Sequence, residues 1–170
     1  MAASLVIMVI VAFATLLFCR HRDIGRAAAK VMYKNANAKA MDEIHTITSF
    51  TAPAKRTAVQ RAVDEHLGLA HDTPPVLGKL HISEARGNRL RIALGSKLGT
   101  EWTGVATFSP ADSGGTTGTY RVTNWTLHDG VAQATKLVGE MARIREQIAA
   151  AVTDQGGTTQ SHLAPATQRK

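Results

Sequence analysis

The chain has 170 residues, a formal net charge of +7, one cysteine and few aromatics, 5% in all. A single cysteine excludes an internal disulfide framework, and the length suits one domain of ordinary size. The basicity is local. Residues 20–39 carry six Lys/Arg against one Asp (+5), residues 154–170 carry +1, and the whole of 40–153 carries +1. A nearly neutral folded part, with no aromatic residues interleaved among its cations, argues against nucleic acid as a partner.

Residues 2–19 form an unbroken apolar run without charge, Pro or Gly. As a helix it would span roughly 27 Å, close to the hydrocarbon thickness of a bilayer. Nothing basic precedes it, and its one small-residue cleavage pattern, Ala12-Phe13-Ala14, lies inside the run, so an uncleaved anchor is expected over a signal peptide. Cys19 follows the bulky Phe18, so it is read as an inert thiol at the boundary. The Lys/Arg excess directly after the run places the N-terminus outside and the remainder in the cytoplasm. The expected organisation is therefore an anchor at 1–19, a basic juxtamembrane segment at 20–41, an α+β cytoplasmic domain at 42–152 and a disordered tail at 153–170.

Residues 24–41 are rich in Ala and Lys at helical spacing, with Asn35-Ala36-Asn37 as a weak joint. Residues 43–51 are β-rich, although Ile44, Ile47 and Phe50 do not alternate cleanly. Thr51 is a candidate N-cap and Pro53 a first-turn residue for a helix whose apolar stripe is Ala58, Val59, Ala62, Val63, His66 and Leu67, ended by Gly68. Residues 79–94 read as a hairpin turning at Arg86-Gly87-Asn88. A strand follows at 101–109, with Trp102, Ala106 and Phe108 on one face and Thr103, Val105 and Thr107 on the other. In the return strand, 116–127, Tyr120 and Val122 share a parity that Trp125 and Leu127 do not, which predicts a bulge near Thr123-Asn124. Asp129 would cap a closing helix carrying Val131, Ala134, Leu137, Val138, Met141, Ile144, Ile148 and Val152 on one stripe. The Gly/Thr/Gln/Ser-rich stretch that follows has no periodicity, and disorder is expected.

The fold class so predicted is α+β: an N-terminal transmembrane helix, then a small antiparallel sheet of about five strands packed on a long C-terminal helix. Residues 44–63 (strand, Ala-Pro, helix), 101–125 (two strands about a Gly-rich turn) and 131–152 (closing helix) resemble a reduced form of the polyketide cyclase/START-type superfamily, the helix-grip fold. They cover about half of the chain. The resemblance implies binding of an apolar small molecule or lipid between sheet and helix, and it brings no universal catalytic residues.

Chemistry-bearing residues point to no reaction, so no catalytic residue, cofactor or metal is assigned. His66 and His71, near Asp64, Glu65 and Asp72, are five apart across Gly68, whereas a helical zinc pair needs four. His45, His81, Glu84 and Glu101 have no spacing that requires convergence. Gly95-Ser-Lys-Leu-Gly99 lacks the phosphate-loop order, and Asn124-Trp-Thr126 is an incidental glycosylation sequon within a strand. Two binding surfaces remain. Trp102, Phe108, Tyr120, Val138 and Met141 would line a cavity between sheet and helix. Lys79, His81, Arg89 and Arg91 would share a solvent face able to touch an anionic membrane surface or an acidic partner. The expected partners are thus the membrane, through the anchor, and either an apolar ligand or a protein. The alternative function is a non-catalytic scaffold subunit of a membrane complex.

Overall fold

The computed structural model describes residues 34–71, 78–112, 114–126 and 134–165. The chain divides into two units, Met1–Ala38 and Lys39–Lys170. The apolar run and the Asp129 cap lie outside the described residues. In chain order the elements are α1 (Lys34–His45), β1 (Thr46–Ala52), α2 (Arg56–Leu67), β2 (Lys79–Arg86), β3 (Arg89–Ser96), β4 (Gly99–Pro110), β5 (Thr116–Trp125), α3 (Ala134–Asp154) and β6 (Thr158–Leu163).

All six strands form one antiparallel sheet in the order β2-β3-β4-β5-β1-β6. Three bulges interrupt the pairing of β2 to β5, between Ile82 and Glu84, Leu94 and Gly95, and Thr103 and Gly104. The last lets Asn124 face Thr103 and Val122 face Gly104, leaving Thr123 as the extra residue. That is the bulge the parity break in this strand predicts. Each such insertion sharpens the local right-handed twist.

One face of the sheet is apolar and carries the core. Phe50, Ile82, Leu90, Ile92, Trp102, Phe108 and Tyr120 are fully buried with Met141, Ile144, Ile148 and Val152 of α3 and Val59 and Val63 of α2. α2 packs on α3 and on β4 and β5, while α3 lies against β1 and β6. Gly68, in the left-handed conformation (φ 56°), ends α2 as expected, its N–H donating to the Asp64 carbonyl.

Four expectations are corrected. First, residues 43–45 are the last turn of α1, not the start of a strand. Ala40 and Ile44 stand one helical turn apart and are both buried, which is why Ile44 breaks the alternation that begins at Thr46. Second, Thr51 does not cap α2. Its backbone is committed to β1 between Thr117 and Thr158, and Lys55, in extended backbone conformation, takes the cap position without a side-chain bond. Third, the helix is not interrupted at Asn35–Asn37, since α1 runs through them, and the boundary between the two units follows at Ala38.

Fourth, residues 158–163 are not disordered; they are β6, so the sheet has six strands, not five. A chain reversal through Gly156 (φ 72°) and Gly157 returns the backbone alongside β1. Hydroxyl pairs join the two strands at Thr48–Ser161 (2.9 Å) and Thr51–Thr158 (3.2 Å), and the Ala164 N–H donates to the His45 carbonyl. β6 lacks a hydrophobic alternation because its role is to satisfy the β1 backbone.

Two glycine substitutions are expected to act in opposite directions. A Cβ at Gly157 would lie 2.3 Å from the Thr51 carbonyl oxygen and 2.7 Å from Val152, so Gly157→Ala should destabilise by about 2–3 kcal/mol. A Cβ at Gly139, on α3, would meet nothing within 4 Å. Gly139→Ala should therefore stabilise by about 0.5–1 kcal/mol. Shifts of the unfolding midpoint, down for the first and up for the second, are the check.

Candidate functional site

The register sorts the sheet side chains into rows that cross it, and so defines two surfaces. On the inner face Leu80, Leu94, Trp102 and Trp125 stand directly opposite one another on successive strands. The next row is Ile82, Ile92, Gly104 and Val122, and the one after runs Ala85, Leu90, Ala106, Tyr120, Thr48, Ser161. Trp102 is fully buried, whereas Leu80, Leu94 and Trp125 are partly open. Trp125 meets His45 edge to face at 5.3 Å.

Of the five residues expected to line a cavity, Trp102, Phe108, Tyr120 and Met141 are buried, and Val138 is partly buried against them; all five belong to one apolar cluster. Phe108 is tilted against Phe50 with ring centroids 5.4 Å apart. Two members carry polar atoms into this environment. The Trp102 Nε1–H and the Tyr120 hydroxyl are buried and find no hydrogen-bond partner among the described residues. A side chain at position 104 would strike the Tyr120 ring, since a Cβ there would lie 2.6 Å from the hydroxyl oxygen. Gly104 therefore gives the phenol its place on the sheet. Burial pushes the Tyr120 phenol well above its ordinary range and keeps it a neutral donor.

Arg145 lies beside this cluster, its guanidinium carbon 5.8 Å from the Tyr120 ring centroid. It pairs with the Glu43 carboxylate and donates to the Glu43 and Thr46 carbonyls at 3.1 and 3.2 Å. Burial lowers its basicity from the usual value. Neither the clamp nor the two orphaned donors was foreseen from the sequence. Arg143 and Arg145 are both cations of one helix, and only the fold tells which of them is buried.

On the outer face, the register places Lys79, His81, Arg89 and Arg91 on one side as expected. His81 is nonetheless no solvent-facing residue. It is buried, with Nδ1 donating to the Lys79 carbonyl at 3.2 Å, and its cross-strand neighbours Ala93 and Thr103 are buried too. One further cation, Arg121, was missed. Arg86 faces Arg89, and Arg121 lies in the row Glu84, Arg91, Val105, Arg121. Lys97 sits at the β3–β4 turn, the far end of β3.

The histidine and carboxylate groups do not converge. His66 Nε2 bonds Asp154 at 3.1 Å and His71 Nε2 bonds Asp64 at 2.9 Å, so the two engage different carboxylates. Glu84 pairs with Arg91 at 3.2 Å. Among the described residues no group of three or more His, Cys, Asp or Glu could hold a metal ion, and no helix is long and apolar enough to cross a membrane. No protein-family model, curated protein or solved structure matches the chain significantly.

Tyr120→Phe removes an orphaned hydroxyl and should stabilise the ligand-free chain by about 1 kcal/mol. The gap should widen as pH rises through roughly 10, because the unfolded phenol ionises there while the folded one keeps its proton, which favours unfolding of the wild type alone. Unfolding midpoints of both proteins across that pH range provide the measurement.

Proposed function

We propose that this protein is a non-catalytic, membrane-tethered binding protein: the apolar run 2–19 holds it in the bilayer, and the interior between sheet and α3 takes a small amphipathic molecule or lipid. The observation that carries this reading is the pair of orphaned polar atoms. Burying a hydroxyl or an indole N–H without a partner costs about 1–3 kcal/mol, and native proteins rarely tolerate it without reason. Two such groups, Trp102 Nε1 and the Tyr120 hydroxyl, stand on the inner face amid apolar side chains. Their chemistry suits a mostly apolar ligand that carries hydrogen-bond acceptors, such as carbonyl, ester or carboxyl oxygens. The likeness of the element order to the helix-grip superfamily supports the same reading.

A second reading, a scaffold module that binds another protein and no small molecule, is favoured by the membership of all five candidate lining residues in one continuous apolar core. Native mass spectrometry of the full chain, purified in a volatile detergent, separates the two. A bound species of a few hundred daltons, diminished in the Tyr120→Phe and Trp102→Phe variants, is expected. A bare polypeptide mass in every preparation would favour the scaffold.

A further inference from the structure

The outer face of the sheet carries a net positive charge, most of which the fold does not use. Arg86, Arg89, Arg91 and Arg121 come from three strands, and all four are exposed. With strands about 4.8 Å apart, the patch extends roughly 14 Å from β2 to β5. Between the arginines stand Val105, Thr107 and Thr119, which carry no charge, and the continuation through Ser49 and Gln160 is neutral as well. Glu84 is the one carboxylate among the residues paired on this face, and it neutralises Arg91. A net excess of three guanidinium groups is left.

We propose that this face docks on the anionic headgroups of the bilayer in which the chain is anchored. The inference rests on the anchored reading given above. Guanidinium groups match phosphate oxygens in a bidentate fork. Residues 20–39, with a further +5, follow the apolar run directly, and the charge rule that orients this run puts the domain on the side where acidic lipids concentrate. An acidic protein is the competing partner, but among the described residues this face supplies none of the aromatic anchors that protein interfaces favour.

The test uses the full chain with Cys19→Ser and Ser109→Cys, labelled at position 109 with an environment-sensitive fluorophore. Ser109 is exposed on the same face, opposite Thr117. The protein is reconstituted in vesicles of phosphatidylcholine, with or without phosphatidylserine. In the anionic vesicles acrylamide quenching should fall by roughly twofold or more, and high salt or the change Arg89→Glu/Arg91→Glu/Arg121→Glu should restore it. Equal quenching in both vesicles, with the chain retained through an alkaline wash, overturns docking and leaves the anchor standing. Release by the wash overturns the anchor. Docking is then decided by co-sedimentation with anionic vesicles, which supports it if the triple variant fails to bind and refutes it if wild type fails. Shielding seen in native membranes and not in phosphatidylserine vesicles points to an acidic protein and refutes the lipid proposal.

Discussion

A buried guanidinium holds the two ends of this domain together. Arg145 sits on the helix that closes the sheet, and its three partners all belong to the junction where α1 ends and β1 begins. Those partners need it as much as it needs them. The Glu43 carbonyl lies at a helix C-terminus, where the macrodipole is negative and carbonyls lack helical donors. Thr46 adds a local closure, its hydroxyl donating to the Asp42 carbonyl at 2.7 Å. Taking a cation out of water is costly, and the cost is offset only when paired charge and hydrogen bonds are both supplied. Here a carboxylate and two carbonyls supply them to the two terminal nitrogens, while the buried Nε–H has no partner among the described residues. The position of β1 then follows, and β1 in turn templates β5 on one edge and β6 on the other.

From that junction the two faces of the sheet diverge in chemistry. The inner face buries large side chains over small ones, Tyr120 over Gly104 and Phe50 over Gly118, so that α2 and α3 approach an even apolar surface. Polar atoms enter this interior at few points, and most are answered: Thr48 by Ser161, Thr116 by the Ala54 carbonyl at 2.7 Å. Among the described residues Arg145 Nε and Gln147 Oε1 on α3 lack a partner, and on the inner face of the sheet so do Trp102 Nε1 and the Tyr120 hydroxyl. They stand out because the remaining inner-face hydroxyls are satisfied so consistently. On the outer face His81, Ala93 and Thr103 are buried, whereas Arg86, Arg89, Arg91 and Arg121 stand exposed.

Much of the architecture was legible in the sequence, because strict alternation and helical stripes are local signals. The hairpin at Gly87, the faces of β4 and the bulge in β5 all followed from parity. What escaped depended on long-range pairing. Nothing in Thr158–Leu163 announces a strand, since its side chains are polar and its stability comes from a partner more than a hundred residues earlier. The start of β1 was misplaced for a similar reason: Ile44 is apolar in either structure, and tertiary burial beside Ala40 decided for helix. For the candidate surfaces, residue type and parity found Trp102, Tyr120, Arg89 and Arg91. Arg121 joined them only through cross-strand register, and His81 left them because its environment is buried.

The clamp at Arg145 is most directly probed by a double-mutant cycle on the full chain, comparing Arg145→Met, Glu43→Gln and the pair together by chemical unfolding. A coupling energy of about 2 kcal/mol or more, with each single change strongly destabilising, is the result expected of a buried ion pair that fixes the α1–β1 junction. Single effects that add to within about 0.5 kcal/mol would contradict it, and would show that the sheet holds its place without the guanidinium.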